Sequence, residues 1–102
     1  MKIVPWKEFL KLCGAREIPE DLGRFDGETT ERQKERLHRF GIGYDGLNRH
    51  KADIVLCVAE ARARKHLATP GQLQMLCKLG RSNVRDITFD DARRIIGDSF
   101  HW

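Results

Sequence analysis

The chain has 102 residues, enough for one domain with a single modest core. With 40% hydrophobic and 33% charged residues it reads as globular with a well-solvated surface, and no run of ~18 apolar residues offers a membrane span. The net charge of +4 is concentrated in the middle: residues 30–66 carry nine Lys/Arg against five Asp/Glu, residues 1–29 five against six. That placement points to an anionic partner, because nucleic-acid binders gather charge in this way.

The N-terminus has no long apolar stretch and no small-residue cleavage site, so a cytoplasmic location is expected. Ile3, Trp6, Phe9, Leu10 and Cys13 recur at spacings of three and four, predicting a helix over residues 3–13. Pro5 would sit in its first turn and Gly14 at its stop, with Trp6 and Phe9 packed on the central helix. Residues 15–28 break the pattern. Pro19, Gly23, Gly27 and five acids predict a loop, anchored to the core by Ile18, Leu22 and Phe25.

A duplication begins at Thr30. Thr30-x-x-Gln33-x-x-x-Leu37-x-x-Phe40-Gly41 recurs 39 residues on as Thr69-x-x-Gln72-x-x-x-Leu76-x-x-Leu79-Gly80. The match resumes one residue later, Leu47-Asn48-x-x-x-Ala52 against Ile87-Thr88-x-x-x-Ala92. Each half reads as a capped helix, a stop glycine, a connection and a second capped helix. Thr30 with Gln33, and Thr69 with Gln72, have the spacing of a capping box; Asp91 completes a third with Thr88. Pro70 suits a first helical position, and Gly41 and Gly80 suit helix ends. The helix from Thr30 to Phe40 can bury only a narrow stripe around Leu37 and Phe40.

Residues 48–67 predict the longest and most buried helix, apolar from Ala52 to Ala63 over most of its circumference. Its exit is basic, which suits either the negative end of the helix dipole or an anionic ligand. In the last helix Phe89, Ala92, Ile95 and Ile96 share a face, and Gly97 ends it. The tail, Ser99 to Trp102, carries two aromatics that either fold back or meet a partner. The expected architecture is an all-α single domain of about five helices: an N-terminal helix and acidic loop (1–29), two related helical repeats (30–66 and 67–97) and a tail (98–102).

Candidate chemistry is sparse. Cys13, Cys57 and Cys77 form no Cys-x-x-Cys pair and read as reduced core thiols; the four histidines lack zinc-ligand spacing. No metal or cofactor is implied. Asp90-Asp91 suit a helix start, Ser82 and Ser99 lack a nucleophile context, and no phosphate-binding glycine loop of known type occurs, so no catalytic role is expected. The candidate nucleic-acid contacts are Arg32, Arg36 and Arg39 on one helix, Arg49 and Lys51 at the start of the long helix, and Arg62, Arg64 and Lys65 at its end. Arg32, Arg36 and Arg39 lie on one helix face; Glu31 and Glu35 also fit an ordinary salt-bridged surface.

Gly41-Ile42-Gly43 between two helices resembles the hairpin of helix-hairpin-helix DNA-binding modules, in which backbone amides hold a phosphate. Here extra residues separate Gly43 from the next helix, and the second copy has Gly80-Arg81-Ser82-Asn83; the alternative is a helix cap followed by a connector. Ala68-Thr69-Pro70-x-Gln72-x-x-x-Leu76-x-x-Leu79-Gly80, followed by Ile87-Thr88-Phe89-x-x-Ala92-x-x-Ile95-Ile96, resembles a small helical module appended to bacterial and phage nucleases and helicases. The resemblance covers about 30 residues well, the first copy more loosely, and residues 1–28 not at all. It implies a helical fold and involvement in nucleic-acid processing, and it names no catalytic residue. A non-catalytic nucleic-acid binder is the preferred expectation. The rival is a protein-binding adaptor or inhibitor of a nuclease, for example an anti-CRISPR type inhibitor from a phage or mobile element, with the acidic stretch 17–28 and the aromatic tail as contacts. A structural module charged only for solubility is the third.

Overall fold

A computed structural model describes residues 3–23, 27–81 and 84–99. Among these the chain is mostly helical, with five helices and one small two-stranded sheet. In order they are β1 (Val4–Pro5), α1 (Trp6–Leu12), α2 (Glu31–Arg39), β2 (Ile42–Gly43), α3 (Arg49–Arg64), α4 (Pro70–Lys78) and α5 (Phe89–Ser99).

The start of the chain departs from the all-helical expectation. The residue before a proline is biased towards extended backbone, and Val4 pairs in parallel with Ile42, Pro5 with Gly43. Pro5, extended at φ −57° and ψ 143°, precedes α1 as its N-cap residue. Ile3 is exposed; Trp6, Phe9 and Leu10 are buried and keep the expected helical spacing.

Thr30 and Thr69 each form a full capping box, with Gln33 and Gln72 returning the bond to the cap N–H. At α5 the box is half made. Thr88 Oγ1 accepts from the Asp91 N–H at 3.2 Å, but the Asp91 carboxylate takes Arg94 at 3.0 Å. Gly41 and Gly80 follow α2 and α4 at positive φ, each donating its N–H three residues back. The end of α3 has the same geometry with a histidine: His66, at φ 54°, donates to Ala63 O, and Leu67 to Arg62 O.

Equivalent bonds tie each helix pair together. Glu28 bridges Asn48 as Leu67 bridges Thr88. The Arg49 N–H reaches Gly27 O and the Phe89 N–H reaches His66 O; Gln33 Nε2 donates to Arg49 O and Gln72 Nε2 to Phe89 O. The pairs differ as well. α3 has 16 residues and α5 has 11, and a strand, β2, interrupts the first half. Residues 82–83, at the matching place in the second half, lie outside the described residues.

The long helix is one-sided rather than enclosed. Ala52, Val55, Leu56, Ala59 and Arg62 are buried at spacings of three and four, whereas Cys57 and Ala63 are exposed. The thiols are free, but Cys57 and Cys77 are exposed and Cys13 is half-buried, so the cysteines are not core residues. Small side chains count as apolar in a sequence pattern, yet exposing them costs little because they present little area. In the loop, Ile18 is buried and Leu22 packs on the core; Phe25 lies outside the described residues, as do residues 100–102 of the tail. α5 passes Gly97 and continues to Ser99. Ala92 is buried on its expected face, Ile95 and Ile96 are half-buried, and Phe89 is exposed.

Two apolar clusters result. The larger joins Val4, α1, Leu37, Ile42 and α3; the smaller joins Ala68, Leu73, Leu76 and Ala92. Leu12 and Cys13 pack against both.

Candidate nucleic-acid interface

The eight basic residues predicted from sequence fall into three groups. Lys51 and Arg62 are inside the molecule and leave the candidate surface. Lys51 Nζ donates to Glu20 O at 2.5 Å, pinning the acidic loop to α3 by a main-chain carbonyl. Arg62, 9% exposed, donates from Nη1 to Arg85 O at 2.6 Å and from Nη2 to Ala68 O at 3.2 Å. Burial pushes its pKa down, against the opposing pull of Cys13 and Asp86. Both looked available because a helix face cannot be assigned from charge alone, and long cationic side chains carry apolar stems that suit burial.

Arg36 and Arg39 are on the surface but paired. Arg36 meets Glu60 across α2 and α3, and Arg39 Nη2 lies 3.2 Å from Glu35 Oε1 within α2. Pairs this exposed are weak and exchange readily for another anion. Arg32, Arg49, Arg64 and Lys65 are exposed, with no carboxylate in ion-pair range among the described residues. They do not form one patch. Arg49 and Arg64 stand at opposite ends of α3, roughly 22 Å apart along its axis at about 1.5 Å per residue.

Gly41-Ile42-Gly43 does not present a row of exposed amides. Ile42 is buried, Gly41 O accepts from the Val4 N–H at 2.8 Å, and the segment is strand β2. The alternative, a helix cap followed by a connector, describes it, with pairing to β1 added. Beside it Lys34 Nζ lies 5.8 Å from the centre of the exposed Tyr44 ring, a cation–π contact on the outer face of α2.

A cleft of about 260 Å³ opens where the two helix pairs meet. Its walls are the end of α2 (Arg39, Phe40), the last turns of α3 and the starts of α4 and α5, with Phe9 at its floor. The lining is mainly apolar and includes Arg39, Arg62 and His66 but, among the described residues, no carboxylate. Sequence reading did not bring these segments together. The one available signal was the repeated offset, which puts the start of α5 beside the end of α3.

Among the described residues no three His, Cys, Asp or Glu side chains gather as a metal site, and no helix is long and apolar enough to cross a membrane. No protein-family model matches the chain, and no curated protein or solved structure matches it.

Proposed function

We propose that this is a non-catalytic nucleic-acid-binding accessory protein, acting in bacterial or phage DNA or RNA processing and built from two copies of one helical module. The carrying observation is the set Arg32, Arg49, Arg64 and Lys65, exposed in the most basic third of the chain and unpaired with any carboxylate among the described residues. Arg39 adds a fifth cation through its loose bond to Glu35. Cations with no carboxylate partner among the described residues, in a chain holding 15 acids, suit an external anion such as phosphate. The duplicate reading is supported by the equivalent cap, bridge and glutamine bonds of the two halves. The likeness to the module appended to nucleases and helicases supports the choice of nucleic acid.

Titration of labelled single- and double-stranded oligonucleotides at two salt concentrations tests this. Binding should weaken steeply with salt, and each of Arg32→Ala, Arg39→Ala and Arg64→Ala should reduce the log–log slope by about one. Salt-insensitive or undetectable binding of both oligonucleotides rejects it. A second reading, a protein-directed inhibitor or adaptor, is favoured by the exposed acids Glu17, Glu20 and Asp21 on a loop held in place by Lys51. It requires co-purification with one protein partner and no affinity for nucleic acid alone.

A further inference from the structure

We infer that the cleft between the two helix pairs takes one unpaired nucleobase, making the ligand a single-stranded nucleic acid; this rests on the function proposed above. Volume sets the class of guest. About 260 Å³ is just below the roughly 300–1,000 Å³ of drug-sized sites, which suits a guest of the size of one planar ring system. The walls offer ring faces. Phe89 is 40% exposed at the first turn of α5 and Phe40 is half-buried at the end of α2, and the small residues Ala59, Ala63 and Ala68 line the cleft with them. Every base has a π-face, so such a site grips unstacked bases with little regard to sequence.

The charge around the opening selects a guest that carries phosphate. Arg39 is exposed on the lining, and among the described residues no Asp or Glu belongs to it. α4 begins at Pro70 beside this opening and brings partial positive charge to it, whereas at the start of α5 Asp90 and Asp91 offset that charge. Arg62 also lines the cleft, and its buried Nε–H has no hydrogen-bond acceptor among the described residues. A duplex keeps its bases stacked and cannot fill this space, so the cleft separates single from double strands where the surface cations do not.

The test is a short single strand carrying one fluorescent purine analogue, compared with its duplex, on the full chain and on Phe89→Ala and Phe89→Leu. The expected result is preference for the single strand and quenching of the analogue on binding. Phe89→Ala should weaken the single strand by about tenfold and leave duplex affinity and salt slope unchanged. Phe89→Leu keeps an apolar side chain at the site, so the fold is preserved while quenching is lost. Equal affinity for both strands, with quenching absent or unaffected by either variant, overturns the cleft and leaves the surface reading intact. Failure of both oligonucleotides to bind overturns the surface reading and the cleft with it. Shifts of the Ala59 and Ala63 methyl resonances with an N-acetylated tryptophan amide, but with neither oligonucleotide, assign the cleft to a protein aromatic instead and also overturn the inference.

Discussion

The guanidinium of Arg62 on α3 donates to the main-chain carbonyl of Arg85, 2.6 Å away in the connection between α4 and α5. One side chain therefore links the long helix of the first pair to the backbone of the second. Arg62→Ala strands two carbonyl acceptors and should cost about 3 kcal/mol in urea unfolding; Arg62→Met, which keeps the apolar stem, should cost less. Neither should change the salt slope of oligonucleotide binding. A slope lower by one would return Arg62 to the phosphate contacts.

The two capping glutamines occupy matching places with unequal surroundings. Gln33 is buried and also donates to Arg49 O and, at 2.7 Å, to Asp53 Oδ1; Gln72 is more exposed, and its bond to Phe89 O is 3.3 Å long. Gln33→Ala should destabilise by about 2–3 kcal/mol and Gln72→Ala by about 1 kcal/mol. Equal losses by chemical denaturation would contradict this ranking.

Thiol labelling should separate the cysteines. Cys57 and Cys77 are exposed and should react quickly in the native protein, while Cys13 should react slowly until the chain unfolds. Burial pushes the Cys13 thiol up, with the Ala15 backbone bond and Arg62 pulling the other way. The native state therefore favours the protonated form. The associated stability is fully present below the ordinary thiol range and is lost as pH rises through and above it. Cys13→Ala should remove this alkaline loss, seen as a flatter dependence of Tm on pH above neutrality.

His66 holds a left-handed conformation that glycine adopts without steric cost. His66→Gly should raise stability by about 0.5–1 kcal/mol, and Tm by a few degrees. It should also weaken single-strand binding, because the imidazole leaves the mouth of the cleft. A thermal melt and one titration check both signs; a drop in Tm would mean that the ring makes contacts that outweigh the backbone strain.

What could be read from sequence was local. Capping boxes at Thr30 and Thr69, the stop glycines and the start of α4 at Pro70 need only neighbours a few residues apart, and the structure has them. Pairings at long range were out of reach. Val4 with Ile42 depends on how Pro5 turns the chain, and the burial of Lys51 and Arg62 depends on carbonyls 31 and 23 residues away. Helical spacing at Cys57 and Ala63 suggested burial because small apolar residues fit either side of a helix. The cleft draws on four separate stretches of chain, so no single window of sequence contained it.

Leu12 and Cys13, the end of α1 and its cap residue, touch both apolar clusters. A short seam of this kind ties the two clusters together, so a change of side-chain size there should disturb the packing of both. Phe9, one turn earlier on the same helix, lies at the cleft floor. Arg62, a wall of that cleft, is also the cation that acts on the Cys13 thiol, so a change of side-chain size at the seam should be felt at the cleft wall.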